Sequence, residues 1–131
     1  ERFDVEFRDG ETIDVAICRS LAQLTRLKSA VFRVLPEHAI LPVIQALASL
    51  PRLSQLQLHK CSPTFRDFSS VAALTQLTSL TFDICSISQD SFNVVCKAVE
   101  RSLRYLRLLS DTVQSLAPLS GCKQLEVLVL Q

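Results

Sequence analysis

With 131 residues, 48% of them hydrophobic, the chain suffices for one domain with a sizeable core, and this excludes a disordered segment. Fourteen basic and thirteen acidic side chains leave a net charge of +1. The bases are scattered, so the sequence lacks the electrostatic footprint of a nucleic-acid binder or of a protein held to an anionic membrane. The longest apolar window, around Ala39–Leu50, is too short to span a bilayer and is broken by Pro42 and Gln45. No secretory leader is visible. The sequence holds no methionine and starts at Glu1, so it reads as a processed chain or a piece of something longer. The five cysteines, Cys18, Cys61, Cys85, Cys96 and Cys122, form no CxxC pair. Their odd number and apolar neighbours argue against a disulfide framework or a structural zinc site. They predict reduced, buried thiols in an intracellular, cytoplasmic protein.

In chain order, the first strand is degenerate, Val5-Glu-Phe7-Arg-Asp-Gly10. Ile13, Ile17, Leu21 and Leu24 follow at steps of four, four and three, one apolar helix face. Leu24-x-x-Leu27-x-x-Ala30-x-Phe32-x-x-Leu35 then predicts a short strand around its final alternation. A second helix carries Ile40, Ile44, Leu47 and Leu50 on one face, with Pro36 suited to its first turn. The stretch LPRLSQLQLHKC, Leu50–Cys61, repeats the strand pattern with apolar residues at positions one, four, seven and nine. Pro63 suits a further helix start, and Phe65–Leu77 reads as a weaker helix. The stretch LTQLTSLTFDIC, Leu74–Cys85, has the same spacing again, with cysteine at the same twelfth position. Ser88 and Asp90 are N-cap candidates for a helix with Phe92, Val95, Cys96 and Val99 on one face. Leu103-x-x-Leu106-x-Leu108-x-x-Asp111 gives a fifth strand. Thr112–Gly121, with Pro118 inside, predicts a single turn or a 3₁₀ piece before the last strand, Leu125-x-x-Leu128-x-Leu130.

The ninth position recurs at Phe7, Phe32, Leu58, Phe82, Leu108 and Leu130, at intervals of 25, 26, 24, 26 and 22 residues. Each unit is one strand and one connection, and neither buries its apolar face alone. Stacked units share a continuous core. Leu53-x-x-Leu56-x-Leu58-x-x-Cys61 and Leu77-x-x-Leu80-x-Phe82-x-x-Cys85 carry a resemblance to the leucine-rich-repeat family, most like its ribonuclease-inhibitor-like and cysteine-containing subclasses. The resemblance spans nearly the whole chain and is strongest from Leu24 to Asp111. It departs from the family pattern at Gly10 and Leu35, which replace the polar ladder residue. It implies an α/β solenoid of about six strand–turn–helix units, curved and right-handed, with a parallel sheet on the concave face. It further implies a non-catalytic module that recognises a protein partner. Ubiquitin-ligase receptors, immune sensors and bacterial effectors are settings the family suggests. The other reading is a structural spacer within a longer solenoid.

Alternation within each strand assigns the outward side chains. They are Asp4, Glu6, Arg8; Ser29, Val31, Arg33; Gln55, Gln57, His59; Ser79, Thr81, Asp83; Tyr105, Arg107, Leu109; and Val127, Val129, Gln131. Tyr105, Leu109, Val127 and Val129 around Arg107 form the expected partner-binding patch, with His59 and Asp83 beside it. Cys61, Cys85 and Asp111 are expected to turn inward and bond backbone that would otherwise be unsatisfied. Cys18 and Cys96 read as core, and Cys122 as a partly exposed thiol. His59 and Cys61 could suggest a nucleophile pair, but no third group orients them. Asp4 and Glu6 read as a solvated acidic edge, and His38 as a surface residue. With two glycines there is no phosphate loop. No cofactor, metal or enzyme activity is expected. The oligomeric state stays open at this point.

Overall fold

The structure, a computed structural model, describes residues 2–6 and 15–131. Strands β1 (Arg2–Glu6), β2 (Ser29–Arg33), β3 (Gln55–His59), β4 (Ser79–Asp83), β5 (Tyr105–Leu109) and β6 (Val127–Leu130) form one parallel sheet in sequence order. Helices α1 (Val15–Ala22), α2 (Glu37–Ala48) and α3 (Gln89–Val99) fill the connections after β1, β2 and β4. The connections after β3 and β5 hold short 3₁₀ helices, Ser69–Ala73 and Ala117–Gly121. The result is an α/β protein with a six-stranded parallel sheet, one strand per sequence unit. The expected markers Phe7 and Gly10, together with Arg8 and Ile13, lie outside the described residues.

From β2 to β6 the register is the one the repeat dictates; β1 departs from it by two residues, with Val5 rather than Phe7 beside Phe32 and Glu6 rather than Arg8 beside Arg33. Ala30, Leu56, Leu80 and Leu106 lie side by side, as do Phe32, Leu58, Phe82 and Leu108. None of these eight is more than 4% exposed. Period-two alternation points both rows to the same side, where the helical layer covers them. The helical pieces pack in chain order, α1 on α2, α2 on the first 3₁₀ helix, and α3 on both 3₁₀ helices. Phe68 packs edge-on against both Phe65 and Phe82, with ring centres 5.1 and 5.6 Å apart.

The Leu-x-x-Leu steps have a concrete meaning. Leu50, Leu53, Leu74, Leu77, Cys122 and Leu125 each donate a backbone hydrogen bond to the carbonyl three residues back. These are 3₁₀-type turns that bring the chain into each strand. The next backbone bonds tie unit to unit: the N–H groups of Gln55, Ser79, Tyr105 and Val127 reach the carbonyls of Lys28, Ser54, Thr78 and Arg104.

Two expectations are corrected. Phe65–Leu77 is not an α-helix; only Ser69–Ala73 is helical, and it is 3₁₀. Its apolar residues Phe65, Phe68, Val71, Leu74 and Leu77 are spaced by threes, which suits three residues per turn rather than 3.6. Pro36 precedes α2 as its N-cap, and Pro63 lies outside any helix. Ser88 is the N-cap of α3 as expected, its hydroxyl accepting from the Ser91 N–H at 3.1 Å.

Candidate functional site

Three rows of side chains cross the sheet on the side away from the helical layer. Ser29, Gln55, Ser79, Tyr105 and Val127 make one; Asp4, Val31, Gln57, Thr81, Arg107 and Val129 the middle one; Glu6, Arg33, His59, Asp83 and Leu109 the third. The expected patch residues are therefore neighbours: Tyr105 lies beside Val127, Arg107 beside Val129, and Leu109 beside Asp83. Val127 is 45% exposed, whereas Tyr105, Arg107, Leu109 and Val129 are half-buried.

Two charge groups organise this face. At the β1–β2 edge Asp4 is paired with Arg2 at 3.3 Å and with Arg33. Across β3, β4 and β5 runs a second chain. The Gln57 amide oxygen lies 3.0 Å from His59 Nε2, and His59 Nδ1 lies 2.9 Å from Asp83 Oδ2. The same Asp83 oxygen is 3.9 Å from Arg107 Nη2, beyond hydrogen-bond length. Both imidazole nitrogens are thus engaged, and the Gln57 amide can present either its oxygen or its NH₂ to Nε2. A depression of about 260 Å³ opens here, lined by Gln57, His59, Ser79, Thr81, Tyr105 and Arg107. Arg107 Nε is buried at its edge with no acceptor among the described residues.

The sequence reading of this face needs three corrections. Val31 faces away from the helical layer as expected but is buried, and Thr81 is 4% exposed; both sit in the crowded middle row. His59 is half-buried and bonded on both nitrogens rather than turned to solvent. That engagement leaves no nitrogen for Cys61, so a His–Cys nucleophile pair does not form. The His59–Asp83 contact itself was readable: both residues close their strands, and the register sets them side by side. The exposed His38 lies in α2's first turn, away from this face.

The strands' far ends carry the cysteines. Cys85 Sγ donates to the Leu58 carbonyl at 3.3 Å, the backbone bond expected of this position. Cys61 instead meets the Cys85 thiol, and that hydrogen bond together with burial pushes the Cys61 thiol well above its ordinary value. It is thus a poor nucleophile. Asp111 does not continue the ladder; it is exposed, and the neighbouring Thr112 hydroxyl donates to the Ile87 carbonyl at 2.5 Å. Cys122 is 6% exposed rather than partly open, and Cys18 is half-buried rather than core. A groove of about 690 Å³ runs past this end, with Lys60, Pro63, Ile84 and Cys85 among its walls. No helix among the described residues is long and apolar enough to cross a membrane. In sequence, no family model and no curated protein matches the chain.

Proposed function

We propose that the chain is a leucine-rich-repeat solenoid that binds a protein partner through the helix-free face of its sheet, without catalysis. The observation that carries this reading is the make-up of that face at β5 and β6. Tyr105, Leu109, Val127 and Val129 gather around Arg107 there, an aromatic–aliphatic patch with an arginine at its centre. Tyr and Arg are favoured as energetic anchors in interfaces, and an apolar patch rimmed by polar groups suits contact. The polar side chains of β3 and β4 form the rim. Buried thiols in hydrogen-bond contact suit a reducing, intracellular setting.

A photo-crosslinking residue at position 105 tests the reading in an extract of the source cells, with position 45 on α2 as control. The expected result is a crosslinked partner from 105 alone. Tyr105→Ala and Arg107→Ala then weaken capture while leaving the melting temperature nearly unchanged. Equal crosslinking from both positions, or unaltered capture in both variants, defeats the proposal. The spacer reading draws on a different observation: Leu128 and Leu130 point with the core rows yet are 40% and 47% exposed. A further unit stacked on β6 would cover them, and protection of both upon adding a flanking segment, without any crosslink at 105, favours that reading.

A further inference from the structure

Bases that lie scattered along the sequence are gathered by the fold. The strands are parallel and follow one another in order, so the turns that enter β2 to β6 share one rim of the sheet. Those turns, 25–28, 51–54, 75–78, 101–104 and 123–126, carry Arg26, Lys28, Arg52, Arg101, Arg104 and Lys123 against one acid, Glu126. All six bases are exposed. Arg104 faces Glu126 at 3.9 Å, and the other five have no ion pair among the described residues. Glu100, just before the fourth of these turns, is held by Lys97 at 3.2 Å. The C-terminal ends of α1, α2 and α3 also point to this rim and bring about half a negative charge each, which the five unpaired bases outweigh. The opposite rim has the other sign: Glu37, Asp67, Asp90 and Asp111 outnumber Lys60 and Arg66.

The repeat places the free bases in two groups. Arg26 and Arg52 hold the same position before Leu27 and Leu53, one rung apart, and Lys28 shares the rung of Arg26. Arg101 and Lys123 hold one position before Leu103 and Leu125, again on adjacent rungs. The β4 rung between the groups is neutral, and the Gln76 side-chain amide there donates to the Leu50 carbonyl at 2.8 Å. Backbone bonds from Ser54, Thr78, Arg104 and Glu126 to the carbonyls of Lys28, Ser54, Thr78 and Arg104 join the turns into one ledge. At a strand spacing of about 4.8 Å, the ledge from β2 to β6 runs about 19 Å, the reach of about six extended residues.

The chemistry of the ledge narrows the ligand. Single-stranded nucleic acid binds tracks that add aromatic faces to the bases, and the five turns hold no aromatic residue. A membrane surface is gripped by inserted apolar side chains, and the turns' leucines, Leu27, Leu53, Leu77 and Leu103, are buried. Carboxylates match what remains, since guanidinium groups take them in paired hydrogen bonds. We infer that the strand-entry rim binds an extended acidic segment of a partner protein, one end on Arg26, Lys28 and Arg52 and the other on Arg101 and Lys123. The rim is separate from the patch at β5 and β6 proposed above, and the inference stands whether or not that patch docks a partner.

The test titrates the full ¹⁵N-labelled chain, followed by NMR, at about 0.01 M salt, where charges are felt over about 30 Å. The probes are acetyl-Glu-Glu-Ser-Ser-Glu-Glu-amide, its glutamine counterpart and hexathymidylate. The glutamate peptide is expected to shift the amides of the entry turns saturably, with affinity falling as salt rises to about 0.15 M. The glutamine peptide is expected to bind at least about tenfold more weakly. The double variants Arg26→Gln/Arg52→Gln and Arg101→Gln/Lys123→Gln should each lose about three- to tenfold at an unchanged melting temperature. Lys60→Gln/Arg66→Gln, on the opposite rim, should lose nothing. Absence of binding, equal binding of the two peptides, or an equal loss in the opposite-rim variant overturns the inference. So does a loss confined to one of the two entry-rim variants, or saturation of the rim by hexathymidylate at lower concentration than by the glutamate peptide.

Discussion

Val34, Lys60 and Ile84 hold φ angles of 58°, 52° and 57°, a left-handed backbone that side-chain-bearing residues avoid. Each directly follows a strand. Each donates its N–H to the last carbonyl of the next strand, His59, Asp83 and Leu109, at 2.9, 2.8 and 2.9 Å. The recurrence shows a structural turn that extends the ladder by one bond and swings the next residue inward to the cysteine position. A β-branched residue there costs about 1–2 kcal/mol. Ile84 is 56% exposed, so little packing is lost on replacing it. Ile84→Asn should therefore raise the unfolding free energy by about 1 kcal/mol, read from urea midpoints. A drop would mean that Ile84 packs in a way its exposure hides. A second residue-scale expectation concerns Cys96. Burial, and then the neighbouring Cys122, push its thiol from 9.0 up to about 12. The unfolded chain ionises first, so this thiol's contribution is intact below pH 9 and fades as pH climbs toward 12. Cys96→Ala should flatten the decline in stability over that range, and an unchanged slope would contradict it. The inward turn of Cys61 and Cys85 was legible from their shared repeat position. Their thiol–thiol contact was not, because it depends on two units being stacked. Asp111 misled for a local reason: Thr112, one residue on, takes the backbone bond instead.

The elements were legible wherever period and length agreed. The helices of α2 and α3 follow from residues four and three apart. The two weak connections instead carry apolar residues at strict steps of three: Phe65, Phe68, Val71, Leu74, Leu77, and later Val113, Leu116, Leu119, Cys122, Leu125. The second was read as a turn or 3₁₀ piece and is one; the first was read as a helix although it has the same signature. Unit length carried the distinction too, since the intervals of 24 and 22 residues hold the 3₁₀ connections and the longer ones hold α-helices. Two substitutions probe element energetics. Leu80 is 1% exposed at the centre of the core row, and Leu80→Ala should cost roughly 2–5 kcal/mol in denaturant unfolding. Ser88→Ala removes the cap of α3 and should cost about 1 kcal/mol. The effect should stay modest in comparison, because Gln89 still clasps the backbone N–H groups of Gln114 and Ser115. A Ser88 effect equal to that of Leu80 would assign the hydroxyl a larger part than capping.

At the scale of the molecule, burial is graded along the sheet. Leu56 and Leu58 of β3 are fully covered, whereas Leu128 and Leu130 of β6 are not. Amide hydrogen exchange should therefore be slowest in β3 and β4 and fastest, among strands β2 to β6, in β6. Uniform protection would show that the sheet opens only as a whole. The shared face of Tyr105, Arg107 and Val129 was legible because alternation and register alone place them side by side. What sequence could not give was depth, as with Val31, since crowding depends on how neighbouring rows lean together. The topology has a further consequence. Every strand bonds only to its predecessor and successor in the chain, so no connection straddles another. Splicing Leu58 directly to Asp83 would remove one unit and leave every other pairing able to re-form, and copying that stretch would add one. Such a chain can lengthen or shorten by whole modules over generations, and its helix-free face can be rewritten a rung at a time.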